Sequence, residues 1–392
     1  MEKAQRKSKR FNRIEFCIFL SGLCVFAQLY IFQPILSFVG EEFRVTPAGS
    51  SWTVSSSTLG MAIGLFFLAF KADALPRKKL MVLSLILSSL LTILSGFIFN
   101  FSLLVGLNLV KGIVLAGVSS VALAYLSEEV DIKALGFAIG LYLSGNTTGG
   151  MSGRVIAALL SGWIGWRQTV IIMGIATLLL GILFAFLFPE SRFFNPKNSP
   201  VKEKLHQMGN FLKDKTMMRL YLVAGLLMGN FVAMYNYLGF RLEAPPFSLP
   251  HYIIAFIFFM YITGIVGSVI IGKWSDAHPP SKLIRLPGFL VIAGLMLMLP
   301  VNLTSVILGL GIFTFSFFAT HTLASRMVSQ HAKEGKSTAT SIYWLFYYVG
   351  SSFIGTETGV IYSQGGWNSF IFTLLGLAMV SFLLSIKLIE RK

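Results

Sequence analysis

The chain has 392 residues, of which 55% are hydrophobic and 12% charged, with a mean hydropathy of +0.75. That is too little charge to cover a water-soluble protein of this length. Uncharged runs such as Met81–Phe99, Val170–Phe188 and Phe370–Ser385 approach the roughly 20 residues with which a helix crosses a bilayer.

The first stretch, MEKAQRKSKRFNRIEF, is a basic arm leading into an apolar segment with no small-residue cleavage site. Gln33 and Pro34 interrupt that segment, so it reads as an uncleaved first helix. Cys17 and Cys24 within it are packing residues, with no disulfide or metal site implied. Apolar runs and Pro, Gly and charge breaks then mark twelve spans, at roughly 14–39, 49–70, 79–99, 102–127, 134–160, 166–188, 218–242, 250–273, 282–300, 303–326, 337–362 and 367–387. Barrel strands would alternate over about ten residues, which is not the pattern. The expected class is an all-α membrane protein.

The net charge of +16 is distributed by side. Lys and Arg crowd the N-terminal arm, Lys71–Lys79, Arg192–Arg219, Lys273–Arg285, Arg326–Lys336 and the C-terminal tail, whereas the opposite loops hold Arg44, Arg167 and Arg241. This is the positive-inside pattern, and it predicts that both termini are cytoplasmic. The basic balance is topological, with attraction to anionic lipid, and nucleic acid is not an expected partner.

One long polar break, SRFFNPKNSPVKEKLHQMGNFLKDKT, separates two sets of six spans. It predicts an N-terminal half over 1–190, a cytoplasmic linker over 191–217 with a short surface helix near Val201–Leu212, and a C-terminal half over 218–392. The halves carry matching loops. AFKADALPRKKL lies between spans 2 and 3, and GKWSDAHPPSKL between spans 8 and 9. Each has a small residue four before an Asp, then Ala, a Pro three after the Asp, and a closing Lys-Leu.

These loops resemble the signature loop of the major facilitator superfamily, with Asp73, Arg77 and Lys78 at its acidic and basic positions and Ala69 and Pro76 where glycine is usual. Together with LYIFQPIL, SGNTTGGMSGR and NFVAMYNYLGFRLEAPPFSL, the chain is similar to the acriflavine-sensitivity, arabinose-efflux-like branch of drug:proton antiporters. The resemblance implies the major facilitator fold of twelve transmembrane helices in two halves. It implies that Asp73 with Arg77 and Lys78, and Asp276 in the second loop, form gate contacts rather than bind substrate. It further implies that Gly145, Gly149 and Gly150, with Asn146 at the usual proline position, form a hinge-and-seal element against the second half. Arg154 lies two turns further on, towards the outer face.

In that fold spans 1, 4, 7 and 10 line the substrate path. Gln28 and Gln33 fall in span 1, Asn108 and Lys111 in span 4, Asn230 and Asn236 in span 7, and His321 in span 10. Polar groups inside a bilayer are costly and usually face a cavity or a partner. Asn108 and Lys111, three apart, share a helix face. Lys111 either binds an anionic group, exchanges a proton, or snorkels to the outer surface. The usual arginine of span 4 is absent: Asn108 stands in its place. Glu357 is the only carboxylate well inside a span, and it serves either as a proton site or as a fixed partner of Lys111 or Arg154. His321 is a second proton candidate or a packing residue. Tyr235, Tyr237 and Phe240 add aromatic surface to span 7.

No nucleophile–base set, phosphate loop or metal-ligand cluster is apparent, so the expectation is neither an enzyme nor a cofactor protein. The expected activity is alternating-access efflux of a small organic solute in exchange for protons, with the proton gradient as energy source. Proton-coupled uptake and a non-transporting membrane sensor remain as alternatives. The expected setting is a monomer, multi-pass in the inner or plasma membrane of a bacterial cell, whose partners are a small-molecule substrate and the lipid bilayer.

Overall fold

The computed structural model describes residues 3–6, 8–196, 201–332 and 334–388. In chain order its elements are α1 (Lys9–Leu29), a 3-10 turn at Gln33–Ile35, α2 (Leu36–Phe43), α3 (Pro47–Lys71), a 3-10 turn at Ala72–Ala74, α4 (Arg77–Ser95), α5 (Phe101–Glu129), α6 (Ile132–Ile164) and α7 (Trp166–Leu187). There follow α8 (Val201–Lys213), α9 (Lys215–Glu243), α10 (His251–Ile254), a 3-10 stretch at Ala255–Met260, α11 (Tyr261–Ala277), α12 (Pro280–Leu283), α13 (Arg285–Leu297), α14 (Leu303–His331) and α15 (Lys336–Ile386). Among the described residues there is no strand, only an isolated bridge between Ala4 and Val130. Helix starts follow from their caps. Ser8 Oγ accepts from the Phe11 amide, Asn100 Oδ1 from Leu103, Asp131 from Lys133, and Asn302 Oδ1 from Ser305.

Among the described residues, ten stretches are long and apolar enough to cross a membrane, where the sequence predicts twelve. Two local features account for the difference. The middle of α6 carries GNTTGGMSGR, and that polarity keeps it outside the ten. The 51-residue α15 covers both spans 11 and 12, but Gly366 breaks its path at φ 71°, ψ −171°. Gly165, between α6 and α7, has nearly the same conformation, φ 81° and ψ 158°. Each of these glycines precedes a buried tryptophan, Trp166 or Trp367. The repeat therefore includes a second pair of corners, Gly165-Trp166 and Gly366-Trp367, that require a residue without Cβ.

The chain divides into two compact units, Met1–Ile35 with Ser56–Pro200, and Leu36–Ser55 with Val201–Lys392. Residues 36–55 thus group with the second unit rather than with the rest of the 1–190 segment. Within the first unit α1 packs on α6, and α4 on α5 and α7. Within the second, α9 packs on α15, and α13 on α14 and α15. The same pairing recurs in the same order, which is the structural form of the internal repeat.

Glycine sets the closest of these crossings. Gly145, Gly149 and Gly153 are spaced by four and turn one face of α6 to α1. A Cβ at Gly145 would fall on the Phe19 carbonyl oxygen, at Gly149 on that of Leu23, and at Gly153 2.7 Å from Ala27 Cα. Gly225 of α9 and Gly350 of α15 make the equivalent approach in the second unit. Such contact holds helices together where lipid supplies no hydrophobic drive. In this structure the glycine face of α6 is occupied by α1.

Candidate functional site

In the first unit, polar side chains gather beside the interruption of the first span. α1 ends at Leu29, its C-cap Tyr30 leaves the helix at φ −115°, ψ 15°, and the chain resumes as the 3-10 turn containing Pro34. Lys111 is fully buried, and its Nζ donates to Asn108 Oδ1 at 2.6 Å one turn back. The Phe32 ring lies 5.1 Å from the same nitrogen. Asn108 is held by its own amide, which donates to the Leu104 carbonyl, and by Ser57 Oγ, which donates to Oδ1 at 3.4 Å. A snorkelling lysine would expose its tip; this one folds inward.

Arg154 is also buried, and it donates to Gln33 Oε1 at 2.5 Å and to the Gly150 carbonyl, with Tyr30 beneath the guanidinium at 4.1 Å. Both cations therefore rest on rings of the interrupted stretch, two residues apart. Gln28 turns elsewhere and accepts from Thr92 Oγ1 of α4 at 3.0 Å. Asn146 is half-buried, and its Oδ1 lies where a Cβ at Gly22 would fall.

In the second unit, Asn230 donates to the Leu374 carbonyl and Asn236 to that of Gly355, so both amides are directed at α15. Tyr237 donates from its hydroxyl to Ser51 Oγ and the Thr356 carbonyl, each at 3.0 Å, and Tyr235 pairs with Thr314. His321 Nδ1 is 2.8 Å from the Tyr343 hydroxyl, within an aromatic wall of Phe317, Tyr343, Trp344 and Tyr347. Glu357 is exposed on α15 between buried Thr356 and Thr358, and it makes no ion pair among the described residues.

The two signature loops are tied differently. Asp73 sits in the turn Ala72–Ala74, and its side chain lies outside the described residues. Arg77 pairs with Glu128 at 2.8 Å, donates to the Ala72 carbonyl and stacks over Phe194, while Lys78 meets Glu190 at 3.1 Å. In the second unit Asp276 pairs with Arg326 at 2.7 Å. Among the described residues, the loop supplies the cation in the first unit and the anion in the second. In each, the partner lies near the C-terminal end of the helix corresponding to span 4 or span 10.

Sequence reasoning missed Glu128 and Glu129, which read only as a span end. Glu129 is fully buried, accepts from Arg10 at 2.5 Å and takes the amides of Arg192 and Phe193 at 2.6 and 2.8 Å. It clamps the start of the linker to α5. An adjacent acid pair, SEEVD, directly after an apolar span was the available signal. Also missed was Asp214, which caps α9 through the Thr216 and Met217 amides and meets His331 Nε2 at 3.0 Å. Partial burial pushes its carboxyl up, but the His331 and backbone hydrogen bonds outweigh this and hold it below the usual carboxylate range.

The family model described as Major Facilitator Superfamily matches residues 18–356, which takes in most of both units. The chain belongs to that superfamily. Relatives span nearly all of this facilitator. An uncharacterized transporter of Buchnera aphidicola is 36% identical over 98% of this chain and 93% of its own length. The uncharacterized MFS-type transporter YybF of Bacillus subtilis is 35% identical over 96% and 92%, and an inner membrane transport protein of Escherichia coli is 34% identical over 96% and 91%. Among solved structures, a bacterial homolog of the lysosomal transporter Spinster aligns with a TM-score of 0.80 at 17% identity, over 96% of this chain and 98% of that one. A D-xylose–proton symporter aligns at 0.78 and 13% identity, over 97% and 98%. At these identities the likeness shows the fold. The facilitator is a multi-pass membrane transporter and not an enzyme.

Proposed function

We propose that this facilitator is a twelve-helix secondary transporter that exports a small organic solute in exchange for protons by alternating access. In this reading α6 is a crossing despite its polar middle, and α15 is two crossings joined at Gly366. Both termini and the basic loops are cytoplasmic, and the protein works as a monomer in the inner membrane without a cofactor. The resemblance to drug:proton antiporters supports the direction.

The observation that carries proton coupling is Glu357. It is a carboxylate in the interior of an apolar helix, exposed, and not engaged in an ion pair among the described residues. A carboxylate at such a position is costly in a bilayer, and in this reading it is the group that carries the coupled proton. His321, on its tyrosine partner, is the second proton group. Glu357→Gln, purified with an unchanged Tm and tested in liposomes, is expected to abolish flux driven by a pH gradient while leaving solute exchange without a gradient intact. Gradient-driven flux that survives the substitution rules out Glu357 as the coupling group.

A further inference from the structure

Lys111 is short of negative charge. An ammonium has three N–H donors, and among the described residues one acceptor, Asn108 Oδ1 at 2.6 Å, is in place for a side chain that is 0% exposed. No carboxylate forms an ion pair with it among those residues. A neutral amide and the Phe32 ring face at 5.1 Å give partial solvation, but a buried cation without an opposite charge is strongly disfavoured. The amide is also aimed: Asn108 Nδ2 is committed to Leu104, which fixes the oxygen towards Nζ. An oxygen held there is the neutral counterpart of the carboxylate oxygen that an ammonium would bind more strongly.

The location points the same way. Phe32 belongs to the interrupted stretch of the first span, which is buried in the protein; non-helical backbone within a span is tolerated where it is buried or lines a cavity, and transporters build substrate sites from such stretches. Arg154, over Tyr30 two residues away, adds positive potential to that stretch.

We propose that Lys111 is the recognition group for an anionic substituent, a carboxylate or sulfonate, on the transported solute, which takes the place of the Asn108 oxygen at the ammonium. This rests on the transport reading above and narrows its substrate class to organic anions.

The test uses the full-length chain in liposomes, with flux read as solute exchange, which needs no proton gradient. Two matched sets serve as probes: benzenesulfonate, benzenesulfonamide and phenyltrimethylammonium, and glucuronate with glucose. The anionic member of a set is expected to move about tenfold faster or more than its neutral or cationic partners, equivalent to roughly 1.4 kcal/mol. Lys111→Met should bring it down to the neutral rate, Lys111→Arg should keep the preference, and Lys111→Met should have an equal or higher Tm. Flux without charge preference, or a preference that survives in Lys111→Met, overturns the inference and leaves the transport reading standing. A lowered Tm with loss of flux in Lys111→Met shows a structural lysine and also overturns it. Exchange of none of the probes overturns the inference of a carboxylate or sulfonate solute and leaves the transport reading standing.

Discussion

Replacing Gly149 by alanine tests the packing that organises the first unit. The new Cβ would meet the Leu23 carbonyl oxygen, with Leu23 Cα at 2.6 Å and its carbonyl carbon at 2.7 Å. All three are backbone atoms of α1, so no side-chain rotation relieves them and the two helices must separate. Overpacking of this kind costs about 1–3 kcal/mol. Alanine also gains about 0.5–1 kcal/mol of helix propensity over glycine, so a matched control is needed. Gly140 lies in the same helix with nothing within 4 Å of an added Cβ. The propensity gain is common to both substitutions, and their difference isolates the steric term. With about 2–4 °C of Tm per kcal/mol in a unit of this size, the two variants should differ by about 2–12 °C in detergent. Gly149→Ala should fall below the parent, and Gly140→Ala should match or exceed it. Equal melting temperatures for the two variants would refute the claim that the glycine face is filled by α1.

Four further outcomes follow from the contacts described above. Tyr237→Phe removes the hydroxyl bonded to Ser51 and the Thr356 carbonyl; the loss of stability, read by thermal unfolding, should be about 1–3 kcal/mol. The Arg326–Asp276 pair is largely exposed on its acidic side, so a double-mutant cycle should give a coupling below about 1 kcal/mol that salt reduces. Glu128→Ala leaves the buried Arg77 without its carboxylate and should cost about 1.5–3 kcal/mol. Asp214→Ala removes the cap of α9 and should cost about 1 kcal/mol at neutral pH. Because the folded carboxyl titrates below the unfolded value near 3.9, its contribution is present above that value and lost as pH falls through the folded one. The gap in Tm between parent and Asp214→Ala should therefore be widest near pH 7 and close in acid.

The membrane class, the helical fold and the duplicated loops were legible in the sequence because each depends on local pattern: apolar length, loop charge and repeated residues. What was not legible depends on which neighbour a side chain meets. Asp73 and Arg77 suggested a pair; the side chain of Asp73 lies outside the described residues, and a partner the structure gives Arg77, Glu128, is fifty-one residues away, beyond the reach of any local pattern. Lys111 left three readings open, and only its fold back onto Asn108 removes snorkelling. Gln28 and Asn230, read as lining the substrate path, bond to Thr92 and the Leu374 carbonyl across helix contacts, partners that no local pattern names. Among the described residues the span count is ten by length and apolarity because a polar α6 and a continuous α15 obscure boundaries that the Gly165-Trp166 and Gly366-Trp367 corners mark. Two residues of the same type, in the same conformation, were the clearest unread signal of the repeat.

Proton-coupled export is the central claim, and proton movement is its most direct measure. The purified chain is placed in liposomes loaded with a pH-sensitive dye, a solute that the chain exchanges is supplied, and lumenal pH is followed as that solute crosses. The expected result is a proton flux opposite in direction to the solute, abolished in Glu357→Gln, and a solute gradient that collapses when a protonophore is added. Solute movement with no change in lumenal pH, at a rate indifferent to the protonophore, would contradict it.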